Sequence, residues 1–193
     1  MGKNIKLGIC LAAVALFSAV TTAHAQKFAL KTNALYWATS TPNLGAEISA
    51  GKKNSVQVFY GLNPWKSSSG KSIRHWSLQP EYRHWFCGAY DGWFIGVHAM
   101  GGQFNMGNIK LPFGILSTLE THRYEGWYVG GGISAGYQWA LSVHWNIEAS
   151  IGVGYDYIKY DKFECGQCGV KEKSSHTNYV GPTKAAVNLI YIF

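Results

Sequence analysis

The sequence predicts an all-β fold, an eight-stranded antiparallel up-and-down transmembrane β-barrel preceded by a cleavable signal peptide, and three observations carry that prediction. Beyond Ala25 no stretch approaches the ~18 apolar residues that a spanning helix needs, so any membrane crossing must be made of strands. Long segments instead alternate apolar and polar residues with period two, the pattern of half-buried strands. Aromatic residues also recur ten positions apart on one face of such segments, at Trp76 and Phe86, Trp127 and Tyr137, and Trp145 and Tyr155. Ten residues at ~3.3 Å each, tilted ~45°, rise about 23 Å, close to the ~25 Å apolar band between the aromatic girdles of a bacterial barrel.

The N-terminus sets the compartment. Lys3 and Lys6 form a positive n-region, Leu7 to Val20 an apolar h-region, and Ala23-His24-Ala25 a small-x-small cleavage site, so cleavage after Ala25 leaves Gln26 first. A lipoprotein reading of Leu7-Gly8-Ile9-Cys10 fails because no hydrophobic core precedes Cys10. Residues 1–25 are therefore read as the signal peptide and residues 26–193 as one barrel domain of the cell outer membrane. No Pro/Ser-rich linker, charge block or low-complexity tract divides that domain.

The first strand is expected near 28–38. The second, 43–51, turns Glu47 inward, and the third, 54–63, turns Gln57 inward. The fourth, 74–86, carries Gln79, Glu81 and Arg83 on the face opposite Trp76 and Phe86, and the fifth, 92–103, carries His98 inward. In the sixth, 126–139, Trp127, Val129, Ile133, Tyr137 and Trp139 alternate with Gly130, Ser134 and Gln138. The seventh, 143–158, has the clearest period: Trp145, Ile147, Ile151, Val153 and Tyr155 face away from Asn146, Glu148 and Ser150. In the eighth, 178–193, Val187, Leu189, Tyr191 and Phe193 oppose Lys184 and Asn188, and a terminal Phe closing such a strand resembles the assembly signal of outer-membrane barrels. Short connections at 52–54, 88–91 and 140–142 are expected on the periplasmic side. Long ones at 64–73, 104–125 and 159–177, with a short one at 39–42, are expected outside, as bacterial barrels prefer.

Composition agrees. The chain has 23 Gly, 8 Trp, 12 Tyr and 9 Phe, suited to twisted strands and interfacial girdles. Removing Lys3 and Lys6 leaves 15 basic against 10 acidic residues, a net charge of +5. Those lysines scatter through turns and loops, which argues against a nucleic-acid partner.

An eight-stranded barrel is just wide enough for its own side chains, so an open porin is not expected. Glu47, Glu81, Arg83, Glu148 and Lys184 are read as a lumen charge network, joined by Gln57, Gln79, His98, Gln138, Asn146 and Asn188, because buried charges must be paired. A competing reading takes His75, Ser77 and Glu81 as a base, nucleophile and orienter on one strand face. This resembles the His-x-Ser of outer-membrane lipid A deacylases and would make the chain a lipid-modifying acyl ester hydrolase. The parity opposes it, because this face is the lumen whereas those enzymes act on lipid from outside.

Cys165-Gly166-Gln167-Cys168 lacks the βαβ context of a redox CxxC and the further ligands of a zinc site, so a short disulfide is expected, with no metal and no cofactor. Cys87, at the far end of its strand, should stay unpaired. The apolar run Leu111 to Leu116 is expected to fold back over the barrel mouth or meet a partner.

The motifs Lys31-Thr32-Asn33-Ala34-Leu35-Tyr36, Thr41-Pro42-Asn43-Leu44-Gly45, Asn63-Pro64-Trp65, Gln79-Pro80-Glu81, Trp85-Phe86-Cys87, His122-Arg123-Tyr124, Glu164-Cys165-Gly166 and Gly181-Pro182-Thr183-Lys184-Ala185-Ala186 together resemble a Bacteroidota outer-membrane β-barrel family catalogued as a domain of unknown function. The resemblance covers essentially the whole mature chain and implies the same barrel and location. It also implies a role beside surface appendages, since members often neighbour surface fimbria genes, and it brings no catalytic residues. The function expected is that of a small non-porin barrel with a structural, docking or surface-interaction role carried by its external loops. Outer-membrane lipid and an extracellular or periplasmic protein are the expected partners.

Overall fold

Eight strands account for nearly all of what the computed structural model describes, namely residues 27–65, 72–107, 123–163 and 171–193. They are β1 (Phe28–Asn33), β2 (Asn43–Ser49), β3 (Asn54–Asn63), β4 (Ser72–Trp85), β5 (Gly92–Gly107), β6 (Arg123–Ala140), β7 (Trp145–Phe163) and β8 (Lys171–Ile192). Each pairs antiparallel with its sequence neighbours, and β1 returns to β8 with Ala29 opposite Ile192 and Asn33 opposite Asn188, so the sheet closes on itself as a barrel. Closure leaves no edge along the paired length, which is how an all-antiparallel sheet satisfies its backbone groups. Among the described residues no helix is long and apolar enough to cross a membrane.

The period-two pattern sorts the side chains. Outward positions carry Val97 and Ile133, each 63% exposed, and Ile151, 72% exposed, whereas the inward Arg83 and Glu148 are fully buried. This is the reverse of a lipocalin-type barrel, whose apolar face points inward. One end of the interior is closed by apolar side chains: Trp85 and Phe94, with ring centroids 4.8 Å apart, Tyr90 against Trp85, and Ala29, Ile190 and Ile192 beside Tyr90.

The structure corrects two expectations about the elements. The first strand stops at Asn33, and Ala34–Ala38 form a single helical turn, α1. Asn33 causes this locally, because its side chain accepts the Leu35 N–H at 3.0 Å and so caps the turn. Tyr36 of α1 then reaches the mouth, its ring edge-on to the inward-facing Phe59 at 5.7 Å.

The second correction concerns the loops. Strand pairing runs past the expected loop starts, to Gly107 opposite Arg123 and to Phe163 opposite Lys171, so Phe104–Gly107, Arg123–Glu125, Lys159–Phe163 and Lys171–Thr177 lie on ladders rather than in loops. The physical reason is that a ladder is held by backbone bonds and polar cross-strand pairs, which need no apolar alternation. Asn105, Glu125, Asp161 and Ser174 form one such outward row across four strands. The remainders of those loops, 66–71, 108–122 and 164–170, lie outside the described residues, as do the run Leu111 to Leu116 and the pair Cys165 and Cys168.

Candidate functional site: the charged interior

Register decides which inward side chains can meet. Gln57 stands opposite Glu81, Glu81 opposite His98, and Glu148 between Gln138 and Asn188. Around the closed ring these rows converge on Arg83, contributed by β4.

Arg83 holds Glu148 in a two-pronged contact, Nη1 to Oε2 at 2.7 Å and Nη2 to Oε1 at 3.0 Å. Its Nη1 also lies 3.3 Å from Glu47 Oε2 and its Nε 3.2 Å from Glu81 Oε1, while its Cζ sits 4.3 Å over the Phe94 ring. The planar guanidinium suits this task, since its fork presents donors in several directions at once. Lys31 lies 2.7 Å from Glu148 Oε2 and also pairs with Glu47.

A second knot surrounds Glu81. Gln57 donates to it at 2.8 Å, Ser134 donates at 2.7 Å, and Lys184 pairs with it. Glu148 additionally accepts from Asn188 at 2.9 Å and Ser150 at 3.3 Å, and Ser55 donates to Glu47 while accepting the Trp85 indole N–H at 2.8 Å. Three acids, Glu47, Glu81 and Glu148, thus meet three bases, Lys31, Arg83 and Lys184, and the formal charges cancel. Cancellation with dense hydrogen bonding is what makes charge tolerable away from water.

The structure brings together all five residues expected in the network, Glu47, Glu81, Arg83, Glu148 and Lys184. Lys31 is the member that sequence reasoning missed. The signal was available in the alternation Ala29, Lys31, Asn33, all of which are buried. Of the satellite residues, Asn146 donates to Tyr90 O at 3.3 Å and His98 meets the Thr183 hydroxyl at 2.9 Å. Gln138 is buried with neither amide atom bonded, and Gln79 is half-buried at the edge of the network.

The set His75, Ser77 and Glu81 shares the inward face, as its parity implies. Glu81, however, has both carboxylate oxygens engaged by Arg83, Ser134, Gln57 and Lys184. That leaves it a member of the ion-pair layer rather than an orienter for an imidazole. Ser77 is buried beside Tyr36, where a Cβ on Gly61 would touch both side chains. His75 sits half-buried at the rim, opposite Phe104.

Cys87 is a free, exposed thiol. Among the described residues no group of three His, Cys, Asp or Glu side chains has the arrangement to hold a metal.

Balanced ion pairs occupy the middle of the interior, and the apolar side chains around Trp85 and Tyr90 close one end of it. A closed ring of eight antiparallel strands, apolar outside and ion-paired within, defines a class of small barrels whose interiors hold their own charged side chains. Within that class the chain belongs to the family described as protein of unknown function (DUF3575), whose model matches residues 11–193. No curated protein matches the chain.

Proposed function

We propose that this chain is a small, non-porin β-barrel of the outer membrane, exported by a signal peptide cleaved after Ala25, with a structural or docking role exercised by the strand ends that stand above the bilayer. The observation that carries the reading is the outward face. Between the levels of Trp76 and Phe86 it offers Leu78, Tyr82, Ile95, Val97, Val129, Ile133, Ile151 and Val153, all exposed. A soluble monomer rarely leaves bare an apolar patch beyond a few hundred Å², roughly one edge of such a band.

Beyond Trp76 and Trp127 the outward residues change character to Arg74, Asn105, Glu125, Lys159 and Asp161. Near the other end Trp93, Tyr137 and Trp139 form a ring cluster, and Trp145, Tyr191 and Phe193 form another. Apolar wall, aromatic rims and charges beyond are the three layers that a bilayer imposes on a barrel. Strand lengths support the docking half of the proposal. A spanning strand needs about 9–11 residues. β7 has 19 and β8 has 22, so roughly half of each would stand clear of the apolar band.

The test is fractionation with gel mobility. The protein should appear in the detergent-solubilised outer-membrane fraction and migrate differently before and after boiling. Recovery in the soluble periplasmic fraction without heat-modifiable mobility would sink the membrane reading. Affinity purification from detergent tests the docking role, which predicts a stoichiometric protein partner lost when the β7–β8 hairpin is truncated.

A further inference from the structure

We infer that the outer wall at β4–β5–β6 carries a specific site for one phosphate-bearing membrane lipid, which rests on the membrane reading above. Two hollows on this wall run into each other. The upper one, about 470 Å³, lies at the rim, lined by Arg74, Asn105, Glu125 and Asp161 above Trp76 and Trp127 and taking in the inward-facing His75 and Phe104. The lower, about 450 Å³, shares Trp76, Gln103 and Trp127 and continues between Leu78 and Val129 over Pro80, Ala99 and Gly101.

The sequence makes this groove in a simple way. At three neighbouring outward positions, flanked by Leu78, Val97 and Val129, the wall has Pro80, Ala99 and Gly101, so the surface is set back. Trp76 is pinned on one side by its indole N–H bond to Gln103 Oε1 at 3.1 Å, and Trp127 packs on Tyr157 on the other, with ring centroids 5.7 Å apart. The result is an apolar gutter that opens upward, between two indoles, into a charged hollow. An amphiphile with a chain below and a polar head above fits that sequence of surfaces, and a free ion does not need the gutter.

Charge selects the head group. Glu125 accepts from Asn105 at 3.2 Å with Arg123 at 3.8 Å, and Asp161 is held by Lys171 at 2.8 Å and Ser174 at 2.6 Å. Both acids of the upper hollow therefore have partners. Arg74 forms no ion pair among the described residues, whereas Lys159, on the outward row beside Trp127, acts on the charge of Asp161. The uncommitted charge at the head of the gutter is positive, and a guanidinium grips phosphate oxygens through a fork of donors.

The gutter can be filled without disturbing the barrel. A Cβ on Gly101 would meet only the Tyr128 carbonyl oxygen, at 3.5 Å, an ordinary contact, so Gly101→Leu projects into the groove from an undistorted strand.

The experiment is native mass spectrometry of the folded, heat-modifiable protein in detergent, titrated with bisphosphorylated lipid A, with the same lipid stripped of its phosphates, and with inorganic phosphate. One tight adduct of the phosphorylated lipid is expected, with little binding of inorganic phosphate. Arg74→Gln should weaken that adduct roughly tenfold, the loss of one charge-assisted contact, and bring it to the level of the dephosphorylated lipid. Gly101→Leu should remove binding of both lipids while leaving the heat-modifiable band intact. Adducts unchanged in both variants, an equal preference for dephosphorylated lipid, or inorganic phosphate binding that matches the lipid would each overturn the site. Loss of heat modifiability in the wild-type protein would instead count against the membrane reading itself.

Discussion

Glu148 shows how much of the fold rests on single side chains. It takes both prongs of Arg83 as well as Lys31, Asn188 and Ser150. Glu148→Gln leaves Arg83 and Lys31 buried around one fewer negative charge, and breaking such a layer by removing one partner costs about 3–5 kcal/mol. Urea titration of the folded fraction in micelles should register that loss. A shift within error of wild type would mean that water, not Glu148, satisfies the two cations.

At the rim, the hydrogen bonds from Lys171 and Ser174 hold the Asp161 carboxyl below the usual carboxylate range. Because its native value is depressed, its contribution is present above the ordinary value of 3.8 and is lost as pH falls through the lowered one. A carboxyl-carbon NMR titration should place the Asp161 midpoint below 3.8, and Lys171→Ala should move it upward. At this scale the sequence is legible by parity, which identifies each inward charge, but it does not pair them. Lys31 and Glu148 are 117 positions apart, so a lone lysine early in a strand shows no partner in its own segment.

Among the elements, β6 and β7 are brought together by glycines. A Cβ on Gly132 would lie 2.2 Å from Val153 O, and one on Gly154 would lie 2.2 Å from Gly131 O, both backbone atoms that cannot step aside. Gly154→Ala should therefore cost about 1–3 kcal/mol, the range for overpacking, whereas Gly101→Ala should be nearly neutral. Urea midpoints for the pair check this directly, and equal midpoints would refute the close-approach argument. Strand identity was legible wherever one face is apolar, as in Trp145 to Tyr157. Strand length was not. Beyond the apolar band the ladder continues through polar outward rows such as Asn105, Glu125, Asp161 and Ser174, while Phe104, Tyr124 and Tyr160 stand on the opposite face, so the apolar-outward alternation breaks off although the pairing does not. The helical turn of α1 was hidden for the converse reason: Ala34-Leu35-Tyr36-Trp37-Ala38 looks like an apolar strand end until the Asn33 cap is seen.

For the whole molecule the consequence is an interior occupied by its own side chains. Arg83 and its partners span the interior, and Trp85, Phe94, Tyr90 and Ile190 close one end of it. In planar bilayers the purified protein should give no stable conductance steps at moderate voltage, and a persistent ohmic channel would contradict the packed interior.

The sequence by itself determined the class of fold, the number and order of the strands, and which residues face inward. Period two is a local property, and each strand displays it without reference to the others. Only the tertiary structure decided the rest. Ring closure brings Lys31 of β1 to Glu148 of β7, while pairing between neighbouring strands sets Gly132 of β6 against Gly154 of β7 and Arg74 at the head of a gutter made by Pro80, Ala99 and Gly101. These depend on register between strands, and register follows from the pairing of whole strands rather than from the pattern within any one of them.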